Sequence, residues 1–175
     1  MRNWLGPLLF GLLVAAATTW AAIGAIPYGL MKIAADRLGQ SGVNTMSHGN
    51  LANPDRQPVV RPSPDLAYSS CPYDLSAGPL AIDVTPVPDR YSSLSVFDAA
   101  TDVIFVRNDV EAGGKPFRII LARDGQAVPT GVEVVRTNHD RGIALFRLLL
   151  KDPKEIGGLD AVRRQSSCGT VTKLK

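Results

Sequence analysis

Between Trp4 and Met31 the chain runs for 28 residues without a charged side chain: WLGPLLFGLLVAAATTWAAIGAIPYGLM. A helix rises about 1.5 Å per residue, so such a run exceeds 40 Å and spans a hydrocarbon core of about 30 Å with some tilt. No polar face interrupts it, which argues against a helix buried in a soluble fold. Trp4 and Tyr28 stand at its ends as interfacial anchors, with Trp20 between them. Pro7 and Pro27 lie near the ends, where a broken helix costs least. A cleaved signal peptide is the competing reading. Its apolar region is usually about 7–15 residues, roughly half this length, so an uncleaved anchor is expected.

Orientation rests on little charge. Arg2 flanks one end; Lys32 and Arg37, offset by Asp36, flank the other. A short charged start followed directly by a long apolar run behaves as a signal-anchor. The expectation is a single-pass protein of the bacterial inner membrane with its domain in the periplasm. The expected partition is residues 1–38 as anchor and helix extension, 39–58 as tether, and 59–175 as the soluble domain.

Arg2 apart, 18 basic groups face 16 acidic ones in the rest of the chain. The basic groups are scattered, so no positive stripe for nucleic acid exists, and nucleic acid is excluded as a partner.

From Val59 to Val106, short apolar runs alternate with Pro, Gly, Asp and Ser, as strands broken by turns do. Expected strands are Ala67–Cys71, Leu80–Val84, Tyr91–Phe97, Asp102–Val106, Phe117–Ala122, Val132–Val135 and Ile143–Leu150. Pro72 suits an edge or a strand end. Apolar residues on both faces of Asp102–Val106 predict a central strand. Asp152 as N-cap, Pro153 at the first helical position and Glu155 at the capping-box position mark one short helix. Its Ile156, Leu159 and Val162 fall at helical spacing. The fold class is therefore mainly β. It is an antiparallel sandwich or jelly-roll-like domain with one short C-terminal helix, preceded by a single N-terminal transmembrane helix.

Cys71 and Cys168 form no CxxC pair, which excludes zinc and thioredoxin-like motifs. In an oxidising compartment they can form a disulfide closing a loop of about 100 residues. The alternative is two separate buried thiols.

Catalytic motifs are absent from the sequence. His48 and His139 have no metal-ligand spacing, and His139 in TNHDRG reads as a turn residue. AGGK at 112–115 lacks the rest of a phosphate loop and reads as a hairpin turn. Asp65, Asp74, Asp83, Asp89, Asp98 and Asp102 cluster around the strands. Two of them converging would make an acid–base pair, but turn formation explains aspartates at strand ends. No metal or other cofactor is expected.

Several separated blocks carry a resemblance. Val59, Val60, Arg61 and Pro62 are followed by Asp65 and Tyr68; Asp74, Leu75, Ser76, Gly78 and Pro79 come next, then Arg90, Tyr91 and Asp98. Over about residues 44–165 this resembles the bacterial family catalogued as domain of unknown function 1254. Ser63 and Leu66 depart from it, standing where the family favours asparagine and threonine. The resemblance implies a mainly-β domain. Long members of the family carry a second β domain, unknown function 1214, in the same chain. With the chain ending at Lys175, a separately encoded and similarly anchored β-domain protein is the expected partner, alongside the lipid bilayer.

Two functions follow. One is a non-catalytic assembly or envelope component. The other is a ligand-binding module or enzyme subunit with a site in the domain mouth, lined by Arg61, Asp65, Tyr68, Asp74 and Tyr91.

Overall fold

The uncharged run folds as predicted by its composition. In a computed structural model, which describes residues 4–39, 41–52 and 62–171, a helix α1 occupies Leu5–Leu38. Its 34 residues correspond to about 51 Å at the rise of an α-helix. Its most apolar 18-residue stretch is wholly unburied. Among the described residues this is the one helix long and apolar enough to cross a membrane.

Beyond a short strand β1 (Ser47–His48), the domain builds from β2 (Leu66–Asp74), β3 (Leu80–Val84), β4 (Ser92–Asp98), β5 (Val103–Asn108), β6 (Phe117–Arg123), β7 (Glu133–Thr137) and β8 (Arg141–Leu149). A short helix α2 (Ile156–Arg163) and a last strand β9 (Ser167–Thr170) complete it. One sheet has the order β1-β2-β8-β4-β5 and the other β7-β6-β3-β9. The chain is thus mainly β, with a long apolar helix in front and a short one near the end.

Period-two burial explains the two-layer packing. In β3 the residues Leu80, Ile82 and Val84 are buried and Ala81 and Asp83 are not. They meet Cys71, Tyr73, Leu94, Val96, Ala144 and Phe146 of the first sheet in one core. A second cluster of Ala67, Val87, Leu148 and Leu150 receives Ile156, Leu159 and Val162 of α2, so the helical spacing seen in sequence is its docking face. Asp152 accepts from the Lys154 amide, as an N-cap does, but the first turn is 3₁₀ and α2 starts at Ile156. Glu155 instead accepts from Lys151 and grips Arg90 with both carboxylate oxygens.

Two strand expectations, for β5 and β7, need correction, and of the two alternatives for Pro72 the edge holds. β5 is an edge strand, not a central one: Val103 and Val106 face outward, 55 % and 53 % exposed. Apolar residues on both faces of a strand do not distinguish a sheet centre from an edge whose outer face lacks a cover. Pro72 lies inside β2, opposite Ile143, rather than at its end. Its carbonyl accepts from the Asn44 amide on the β1 side, so its missing N–H faces the thinly covered edge, where proline is tolerated. β7 runs parallel to β6. Arg136 secures the crossing by donating to the carbonyls of Arg123 and Gln126.

Two contacts tie the layers together at their margins. Cys71 of β2 is disulfide-bonded to Cys168 of β9, Cα atoms 6.6 Å apart. Arg107 of β5 forms a bidentate pair with Glu133 of β7 and lies over the rings of Phe105 and Phe117.

Candidate functional site

Two places carry chemistry that the core does not consume. The first is the outer face of the five-stranded sheet. Side chains alternate along each strand, so the partners of core residues Cys71, Ala144 and Phe146 point in and their neighbours point out. Leu66 and Tyr68 of β2, Leu145, Arg147 and Leu149 of β8, and Val103 and Val106 of β5 therefore share one outward surface. Leu149 is 41 % exposed. Arg147 reaches across to Ser95 with one terminal nitrogen, 2.9 Å away, while its Nε and the nearby Ser93 Oγ are buried without a partner among the described residues. The exposed part of this face is apolar, and its two unpaired polar atoms lie beneath that surface.

The second place is where α1 meets the opposite rim of the same sheet. Asp98 ends β4, and one carboxylate oxygen accepts from the amides of Ala100 and Asp102, holding the turn into β5. The other lies 2.9 Å from Nδ1 of His139, in the turn between β7 and β8. An acceptor-only carboxylate assigns the proton to Nδ1, which leaves Nε2 to accept from the Tyr28 hydroxyl of α1 at 3.2 Å. Beneath them Tyr73 donates to the Phe97 carbonyl at 2.9 Å. Burial, reinforced by the Asp98 charge, pushes its hydroxyl well above the ordinary tyrosine value. Gly142 passes so close to the Phe97 carbonyl oxygen and the Tyr73 hydroxyl that no side chain fits there.

This is an oriented tyrosine–imidazole–carboxylate chain. Both ring nitrogens are engaged, and among the described residues no serine, threonine or cysteine side chain is hydrogen-bonded to the ring. It joins helix to domain, with Met31 buried and the Ser70 hydroxyl donating to the Leu38 carbonyl alongside. No cluster of three or more metal-ligating side chains occurs among the described residues.

The sequence-predicted site residues are distributed between the two places. Arg61 lies outside the described residues. Asp65 is exposed in the turn before β2, and its carbonyl accepts from Leu150. The Tyr68 hydroxyl accepts from the Ser63 amide. Tyr91 is 48 % exposed just before β4. Asp74 lies at the other end of β2, eight residues from Leu66, or about 26 Å along an extended strand. Hydrogen bonds from Ser76, with Arg141 beside it, hold its carboxyl below the ordinary carboxylate value. Tyr68, Asp74 and Arg147 thus share a face but not a pocket. The turn readings of Asp98 and His139 describe their backbones. Their side chains do more, and neither has a local motif to reveal it.

Comparisons with known proteins place this architecture. The profile described as "Protein of unknown function (DUF1254)" matches residues 43–170. The chain belongs to the DUF1254 family. Among solved structures it is similar to the VPA0106 protein from Vibrio parahaemolyticus, at 17 % identity and a TM-score of 0.64, covering 87 % of this chain and 37 % of that one. A putative uncharacterized protein from Burkholderia cenocepacia is similar at 18 % identity and a TM-score of 0.48, over 66 % of this chain and 34 % of that one. This DUF1254 chain therefore spans little more than a third of the length of the solved structures it matches. A search of the curated proteins finds no match.

Proposed function

We propose that this DUF1254 protein is a membrane-anchored, extracytoplasmic β domain with a non-catalytic role, docking with a separately encoded partner domain. The observation that carries this reading is the outer face of the five-stranded sheet. Leu149, Val103 and Val106 are exposed on the face that also carries Arg147, whose buried Nε has no partner among the described residues. Aromatic, aliphatic and arginine side chains around buried polar groups are the composition of interface centres. The fitting partner is a second β domain offering an apolar surface with an acidic or carbonyl acceptor for Arg147.

Three further observations support the setting. α1 has the length and exposure of a bilayer span. A disulfide fits an oxidising compartment such as the periplasm. The solved relative extends well beyond the part this chain matches. The test is co-purification of the full chain with its partner after mild detergent extraction, for wild type and Arg147→Glu. Loss of a stoichiometric partner in the variant supports the reading; a monomeric wild type overturns it.

The cleft between α1 and the domain favours a second reading, a ligand-binding module. Asp74, one of the expected ligand-binding residues, lines that cleft.

A further inference from the structure

We propose that the cleft between α1 and the β domain seats one phospholipid headgroup bearing a phosphate and a primary ammonium. The cleft holds about 430 Å³, within the range of small-molecule sites. Tyr28, Met31, Lys32 and Asp36 form its helix wall; Asp74 and Arg141 are on the domain wall.

Each wall closes its own ion pair. Lys32 Nζ lies 3.0 Å from Asp36, and Arg141 Nε lies 2.8 Å from Asp74. Among the described residues no ion pair crosses from one wall to the other. Two cations and two anions therefore border one space with no net charge. A phosphate there meets Lys32 and Arg141, and an ammonium meets Asp36 and Asp74. A purely anionic headgroup meets two carboxylates as well as two cations. Lys32 and Arg141 are each 75 % exposed at the side chain, so both can turn toward a ligand without giving up burial.

Position selects a lipid over a dissolved zwitterion. Lys32 is the first charge after the uncharged run that ends at Met31. If α1 spans the bilayer, as the proposed function holds, the cleft opens at headgroup depth. Met31 and the exposed apolar face of α1 continue its wall into the hydrocarbon. A primary ammonium donates hydrogen bonds to Asp36 and Asp74 that a quaternary one cannot.

The test uses the full chain in mild detergent with equimolar phosphatidylethanolamine, phosphatidylcholine and phosphatidylglycerol, and native mass spectrometry to count retained lipid. Phosphatidylethanolamine is expected to be retained about tenfold over the others, the effect of one or two charge-assisted hydrogen bonds. Asp36→Asn, on the exposed helix face, is expected to bring the three lipids toward parity, whereas Lys32→Gln, which removes a phosphate contact common to all three, is expected to lower the retention of each. Equal retention of all three by the wild type overturns the proposal, as does a preference for phosphatidylglycerol or one that Asp36→Asn leaves intact. Flotation with phosphatidylcholine vesicles separates the two readings. A chain that floats without headgroup preference loses only the lipid site; one that fails to float loses the anchor as well.

Discussion

Replacing Cys71 and Cys168 together by alanine removes the one covalent link between the two sheets. The cysteines are 97 residues apart in sequence. In the chain-entropy model, releasing a loop of that size restores about 4.7 kcal/mol of unfolded-state freedom. Cys71 is fully buried, so the lost sulfur adds a small cavity and works in the same direction. Domains of this kind hold only about 5–15 kcal/mol in total, so the variant should sit close to its folding threshold. Urea titration reads the effect: with a slope of about 2 kcal/mol/M the midpoint should fall by about 2 M. Both tryptophans, Trp4 and Trp20, belong to the α1 region, so indole fluorescence is blind to the sandwich. The strand band in circular dichroism must be followed instead. A midpoint shift below about 0.5 M would mean that the unfolded chain is already restricted near these positions, and would refute the loop-entropy reasoning.

Further predictions concern the supports of the two surfaces. Gly142→Ala should cost about 2–3 kcal/mol in the same titration, because the new methyl collides with the Phe97 carbonyl and the Tyr73 hydroxyl. Gly157→Ala, with open space around it in α2, should instead gain up to about 1 kcal/mol. Arg163 is buried, pairs with Asp160, and donates to the carbonyls of Gly49 and Tyr68. Arg163→Met should cost about 2–4 kcal/mol, less than an orphaned buried charge would, because Arg164 still pairs with Asp160. His48 gives a pH signature. Burial, then the charges of Arg163 and Arg164, lower its pKa below the ordinary 6.5. The unfolded chain then binds the proton more tightly, so stability is full above pH 6.5 and falls as pH drops from there toward the folded value. His48→Gln should flatten that part of a stability–pH curve.

The two-layer fold was legible because local patterns report it. β3 occupies Leu80–Val84 as the Pro and Gly punctuation predicts; Gly113 and Gly114 turn the chain with φ of +60° and +67°, but the turn is not the expected hairpin, because it carries the chain from β5 in one sheet to β6 in the other. Strand order was not legible. Val103 and Val106 look the same to a hydrophobicity pattern whether a neighbouring strand or a partner protein covers them. The parallel pairing of β7 is accompanied by Arg136 donating to the carbonyls of Arg123, at the end of β6, and Gln126, in the loop after it, contacts with no sequence signature. The helix–domain junction was hidden for a related reason. Tyr28 and His139 are 111 residues apart, and Asp98 lies 41 residues from His139. Each has a sufficient local explanation, as an interfacial tyrosine, a turn histidine and a turn aspartate. Only the folded chain brings the three side chains into one hydrogen-bonded line.

Site-specific photo-crosslinking from the outer sheet face in intact membranes tests the central claim most directly. A photoreactive residue at Leu149 should yield one discrete adduct with a second polypeptide, and Arg147→Glu in the same chain should abolish it. The same residue at Arg118, on the other sheet, should yield none. Adducts of equal strength from both positions, or none from Leu149, would contradict the account.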